Sequence, residues 1–287
     1  MSSAYHLVVY HEPAAFVEVA EPFLLEHEVE HCLLLGLLPS LLTGFAPDAF
    51  MAVVHLEDGA PTLVALQTPP HRVILSRAAA GHDLGEVLAP LIASAPHAAG
   101  VVGAPEPSAA YARALAAAHA TTARRAQAER VYQCTAVVPP KAATGSMVRA
   151  ANDDRELLVA WRLAFMAEAS PTDPRLSLEG AGAAVDRDLA TADGGLWLWW
   201  DAGRAVSLAG ARGPTRNGIR IGPVYTPPEE RGRGYASALT AALTQQLLAN
   251  GKAHVTLFTD LANPTSNGIY QAIGYRPVAD QDVYDFG

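Results

Sequence analysis

Apolar residues along this chain alternate or run together in short stretches closed by Gly, Pro, Asn and Asp, and between them lie longer stretches with apolar positions three and four apart. The pattern predicts strands interleaved with amphipathic helices. The punctuation is sharpest in the second half. Residues 147–151 read as a short strand, and Asp153 or Asp154 caps a helix through Glu168 with apolar positions at Leu157, Leu158, Trp161 and Phe165. A helix over 182–192 precedes strands at 196–200, 205–209 and 219–225, divided by Asp-Ala-Gly and Arg-Asn-Gly turns. A helix over 235–248 is closed by Asn250-Gly251, and a strand over 254–259, a short helix over 266–273 and a final strand pair ending at Phe286 follow.

The first half predicts helices within 14–42, strands over 50–56, 62–67 and 72–76, a helix over 84–94, a strand over 100–103, a helix over 108–119 and strands up to Val138. Both halves thus contain the order strand-strand-strand-helix-strand-helix-strand, a weak internal duplication with little residue identity. Pro139-Pro140 can continue neither a ladder nor a helix, so residues 137–145 mark the boundary between domains at 1–140 and 141–287. The expected class is α/β.

Half of the 287 residues are hydrophobic and 17% are charged, enough to bury a core. Acidic residues outnumber basic ones 29 to 20, and most of the excess precedes residue 141, where 13 acidic residues face 6 basic ones. That balance disfavours nucleic acid as a partner. Two cysteines, Cys32 and Cys134, cannot build a disulfide framework or a four-thiolate zinc site and fit a reducing cytoplasm. The first twenty residues carry no Lys or Arg, and the apolar run 32–38 is too short to span a bilayer, so neither a signal peptide nor a membrane partner is expected.

The chemistry concentrates in Arg231-Gly232-Arg233-Gly234-Tyr235-Ala236, between a strand and a helix start. Free N–H groups and the helix dipole attract an anion there. Gly232 and Gly234 permit close backbone approach, and Arg231 and Arg233 place permanent positive charge beside it. The segment lacks the Lys-Ser/Thr ending of a P-loop and the GxGxxG spacing of a dinucleotide fold. A plain strand-to-helix turn is the alternative.

Residues 224–236 resemble motif A of the GNAT superfamily of N-acetyltransferases, Arg or Gln, two residues, Gly, one residue, then Gly or Ala; Arg231, Gly234 and Ala236 fill it. Residues 263–275, Asn-Pro-Thr-Ser-Asn-Gly-Ile-Tyr-Gln-Ala-Ile-Gly-Tyr, resemble its motif B. The resemblance covers 146–286. It implies tandem GNAT-like mixed sheets flanked by helices, the N-terminal one degenerate, with a CoA-binding loop only in the C-terminal one. It further implies transfer of an acetyl or other short acyl group from CoA directly to an amine of a small molecule or protein. In that reading Arg231, Gly232, Arg233, Gly234, Tyr235 and Ala236 hold the pyrophosphate of acetyl-CoA. Val224, Tyr225 and Thr226 pair with pantetheine, Asn263 bonds the arm, and Tyr270 is the general acid. Residues 219–222 offer none of the carboxylates that many members use as base. Glu168, Asp260 and a water chain remain as choices, with Glu168 preferred.

Other features compete. His27-Glu28-Val29-Glu30-His31 fits the zinc-hydrolase pattern HExxH in an expected helix. Glu30 is charged where such helices are apolar, and Leu34 and Leu37 stand where the extended pattern wants Gly and His, so a solvated helix face is the preferred reading and no metal is expected. Trp197 and Trp199 alternate with Leu198 and Trp200, as in a strand covered on both faces. A catalytically silent acyl-CoA-binding module is the remaining alternative to an enzyme.

Overall fold

The computed structural model describes residues 4–44, 46–94, 98–141, 143–169, 176–192 and 194–287. In chain order the first elements are β1 (Tyr5–Tyr10), α1 (Pro13–Leu25), α2 (Cys32–Leu35), α3 (Leu38–Leu42), β2 (Phe50–Leu56), β3 (Pro61–Gln67), β4 (Val73–Leu75), α4 (Leu84–Ala93), β5 (Gly100–Gly103), α5 (Pro105–His119) and β6 (Ala123–Cys134). They are followed by β7 (Ser146–Arg149), α6 (Arg155–Ala169), α7 (Leu178–Ala190), β8 (Gly195–Asp201), β9 (Arg204–Arg212), β10 (Gly218–Tyr225), α8 (Tyr235–Ala249), β11 (His254–Asp260), α9 (Pro264–Ala272) and β12 (Arg276–Phe286). No helix among the described residues is long and apolar enough to cross a membrane.

Two compact units result, one of residues 1–131, 260–262 and 278–287, the other of residues 132–259 and 263–277. This partition differs from a single cut at Pro140. The changeover falls inside β6, and the last ten residues join the first unit because β12 pairs antiparallel with β5, Asp282 opposite Gly103 and Asp285 opposite Gly100. Ion pairs reinforce that placement: Arg72 Nη2 lies 2.5 Å from Asp285 and Arg130 Nε 2.7 Å from Asp280. The polar stretch 279–282 is therefore not a turn between two strands; its carboxylates meet arginines along one continuous strand.

In the first unit the strand order is β1-β2-β3-β4-β5-β12, with β4 and β5 parallel. Period-two alternation sends Met51, Val53, Val64 and Leu66 to one face beneath α1–α3, and Ala52, Val54, Leu63 and Ala65 to the other beneath α4 and α5. The helices expected within 14–42 are three: α1 ends at Leu25, turns occupy 26–31, and two short helices follow.

The second unit has the order β11-β10-β9-β8-β7, with only β10 and β11 parallel. Leu158, Val159, Ala181 and Val185 of α6 and α7 cover one face, packing on Leu196, Leu198 and Leu208. Helix α8 covers the other through Leu239, Leu243 and Leu247, against Trp197, Trp199, Ile219 and Val255. Asp154 accepts the Ala151 N–H at 2.9 Å ahead of α6, and Gly251, at φ +95°, closes α8.

Candidate active site

The parallel ladder between β10 and β11 runs through Gly218–His254, Ile219–Val255 and Arg220–Thr256 and stops there. Beyond it the register of β10 against β9 shifts between Ile221 and Val224, a bulge that turns the strand's last residues. Both strands continue past the last pair, so their carboxyl ends diverge and leave backbone edges facing a wedge, the place where open α/β sheets receive ligands. Ser207 fixes the end of β10, its Oγ donating to Tyr225 O at 3.2 Å and lying 2.9 Å from Thr226 Oγ1.

The chain then makes a tight turn, with the Glu230 N–H on Pro227 O at 2.9 Å and the Arg231 N–H on Pro228 O at 3.3 Å. Gly232 at φ +78° and Gly234 at φ +81° are left-handed, a conformation that favours glycine. A Cβ at either would meet no atom within 4 Å, so backbone conformation and not crowding calls for glycine. Gly234 is the N-cap of α8 and offers no side-chain acceptor, which leaves the first-turn N–H groups of Tyr235, Ala236 and Ser237 without an intrahelical partner. Tyr235 anchors that turn by donating to Asp201 Oδ2 at 2.5 Å, a bond that holds the Asp201 carboxyl below the usual carboxylate range.

The two loop arginines are not the free positive charges that the sequence suggested. Arg231 Nη2 donates to Glu168 Oε1 at 2.8 Å and Oε2 at 2.9 Å, and its Nε donates to Thr226 O at 2.9 Å. Arg233 Nη1 lies 3.1 Å from Oε2 of the buried Glu230, whose other oxygen accepts from Arg204 of β9. Arg204 holds the Glu230 carboxyl below its ordinary range. With both arginines paired, what this loop leaves open to an anion in the free protein is its backbone N–H groups and the α8 dipole. Sequence reasoning missed Arg204, Ser207 and Glu230. Only Glu230, beside the motif, carried a local signal, whereas the roles of Arg204 and Ser207 depend on strand register.

Asn263 caps α9, its Oδ1 accepting the Ser266 N–H at 3.0 Å. Within α9, Asn267 Oδ1 accepts from the Tyr132 hydroxyl at 2.9 Å, and Gln271 Nε2 donates to that same hydroxyl at 2.9 Å. Tyr270 is buried, its ring edge-on to Tyr275 at 6.0 Å, and burial pushes its phenol up to about 12. Its hydroxyl makes no hydrogen bond among the described residues. Of the candidate bases, Glu168 is tied to Arg231, and Asp260 accepts the Ala262 N–H at 2.8 Å.

The HExxH segment lies in turns and not in the expected helix, although the His31 N–H bonds His27 O at 3.0 Å and the two rings meet edge-on, with centroids 6.1 Å apart. His31 Nδ1 bonds Leu24 O at 2.9 Å while Nε2 accepts the Arg77 N–H at 3.2 Å, and burial lowers its pKa. With both nitrogens engaged, His31 has no lone pair to offer a metal.

Residues 204–284 match the family model described as FR47-like protein. No curated protein matches the chain. Among solved structures it is similar to a Drosophila protein (12% identity, 98% of each chain, TM-score 0.71) and to an acetyltransferase from the GNAT family from Colwellia psychrerythraea (12%, 98% of each chain, TM-score 0.61). It is also similar to a tandem GNAT protein from the clavulanic acid biosynthesis pathway (13%, 99% of this chain and 98% of that one, TM-score 0.59). At these identities the likeness is one of fold, and the fold is that of tandem GNAT proteins.

Proposed function

We propose that this chain, a tandem GNAT-fold protein whose residues 204–284 match the FR47-like model, is an acyl-CoA-dependent N-acyltransferase that uses acetyl-CoA and an amine acceptor at its second unit. The observation that carries this reading is the conjunction of the splayed β10 and β11 ends with the uncapped, doubly left-handed glycine turn at the start of α8. Backbone N–H groups from Gly232 to Ala236 would hold the pyrophosphate. The unpaired edge of Val224, Tyr225 and Thr226 would add pantetheine as a further strand, and Asn263 Nδ2, left over by the cap, would donate to its amide carbonyl.

The transfer needs no covalent enzyme intermediate. The acceptor ammonium loses a proton to a base or solvent, the neutral nitrogen forms its bond to the thioester carbonyl carbon and sheds its second proton to solvent, and the carbon–sulfur bond breaks. A β10 backbone N–H in the wedge would stabilise the oxyanion formed on the way. Tyr270, a phenol that is protonated at neutral pH and that burial pushes further up, donates its O–H to the departing sulfur, which then takes a proton from solvent. A reducing cytoplasm suits the two buried free thiols, Cys32 and Cys134.

Titration calorimetry with acetyl-CoA and turnover with a panel of primary amines, read as released thiol, test the reading. One site per chain with turnover is the expected result. One site without turnover of any amine would favour the silent acyl-CoA-binding module, for which the engagement of Glu168 by Arg231 already speaks. No binding would overturn both.

A further inference from the structure

Glu168 stands one residue before the C-terminal end of α6, where the helix dipole disfavours a carboxylate and a nearby cation is favourable. Arg231 is that cation. Both of its contacts to Glu168 leave from Nη2, its Nε is spent on Thr226 O, and the guanidinium sits 5.9 Å from the Tyr225 ring. The pair is open to water, the Arg231 side chain 47% and the Glu168 side chain 51% exposed, and exposed ion pairs hold only weakly. Arg231 is also the residue directly before the glycine turn. A pyrophosphate seated on that turn would place oxygens with more than one negative charge, in a geometry that guanidinium recognises by two parallel bonds, within the arginine's reach.

Resting on the acyl-CoA reading above, we propose that Glu168 and the pyrophosphate compete for Arg231, so that donor binding releases Glu168 and gives it to a cationic acceptor. In the free protein Arg231 neutralises Glu168. In the donor complex Arg231 turns to the phosphate, and the carboxylate at the end of α6 recovers a counter-ion only from the acceptor's ammonium. Two consequences follow from this exchange. Acyl-CoA binds before the amine, and the amine is one that arrives protonated. Glu168 is then an acceptor-positioning residue whose availability depends on the donor, which accounts for its engagement in the free protein.

The test measures binding of CoA and of acetyl-pantetheine, which lacks the pyrophosphate, to the wild type, Glu168→Gln, Arg231→Gln and the double variant. Removing the competitor should tighten CoA binding about two- to fivefold in Glu168→Gln, the scale of an exposed pair. Acetyl-pantetheine binding should not change, and the double variant should bind CoA like Arg231→Gln alone. Butylammonium, followed by broadening of its proton resonances, should bind the wild type only with CoA present and Glu168→Gln in neither state. Weaker or unchanged CoA binding in Glu168→Gln would make Glu168 a mere support for Arg231 and overturn the proposal, as would equal tightening towards acetyl-pantetheine. Wild type that binds CoA but holds butylammonium equally without it would overturn the ordering alone. CoA binding by none of the proteins would remove the acyl-CoA reading itself.

Discussion

Replacing Tyr270 by Phe keeps the ring against Tyr275 and removes only the hydroxyl. The phenol is pushed up to about 12, whereas an alkyl thiol ionises near 8.5, so the two are about 3.5 pK units apart. At about 1.4 kcal/mol per unit, complete proton transfer from Tyr270 to a departing thiolate runs uphill by about 5 kcal/mol. In the proposed reaction the phenol would therefore act as a hydrogen-bond donor to charge developing on sulfur, and one such bond to a charged group is worth about 1.5–3 kcal/mol. The expected outcome is a fall in kcat of roughly 10- to 150-fold, with acetyl-CoA affinity unchanged because the bond forms mainly in the transition state. Since the hydroxyl has no internal partner among the described residues, the thermal midpoint should stay the same. Steady-state rates of thiol release together with calorimetry on the same preparation separate the two quantities. A kcat within twofold of the wild type, or a loss matched by weaker acetyl-CoA binding, would refute the donor role.

Gly234→Ala should destabilise the protein by about 1–2 kcal/mol, the cost of forcing a side chain into the left-handed region, without a clash. CoA affinity should drop about tenfold or more, the worth of one hydrogen bond to a charged group, and calorimetry checks it. In the first unit Tyr111 is fully buried, its hydroxyl has no partner among the described residues, and burial pushes it up to about 12. Because the folded value lies above the unfolded one, its contribution is complete below pH 10 and is lost as pH rises to 12, to the extent of about 3 kcal/mol. Tyr111→Phe should be as stable as the wild type or more so at pH 7 and lose less stability between pH 10 and 12 in urea titrations.

The elements of the second unit were legible because turn chemistry marks them: Asn217-Gly218 ahead of β10, Asn250-Gly251 after α8, and the tryptophan alternation in β8, which puts Trp197 and Trp199 on the α8 face. The glycine turn ahead of α8 was legible for a related reason, since a left-handed turn needs glycine and a sequence displays glycine. Two kinds of information were not. The partners of Arg231 and Arg233 are set by strand register and by where α6 ends, so their charges read as free when they are paired. The position of β12 depends on pairing with a strand more than 170 residues earlier, and its arginine partners Arg72 and Arg130 lie 213 and 150 residues from the carboxylates they meet. Short-range periodicity finds a strand without saying which strand it joins.

The same physics explains why the repeated frame of the first unit is a poor place for a second pyrophosphate. There too a parallel pair, β4 and β5, feeds a helix start, and a glycine in the connecting loop, Gly81, has φ +85°. The helix α4, however, is capped by its own anion: Asp83 Oδ1 accepts the Glu86 N–H at 3.0 Å, and Glu86 adds a second carboxylate to the first turn. A phosphate arriving there would meet like charge and a donor already taken, while the dipole that attracts it is already compensated. The backbone just past β4 is closed as well, because the Arg77 N–H, free to receive a ligand in a splayed wedge, is bonded to the His31 ring. Gly234, with no side chain, and Asp83, with a carboxylate, are thus opposite answers at the N-caps of two helices that each follow the first strand of a parallel pair, and one acyl-CoA per chain is the stoichiometry they favour.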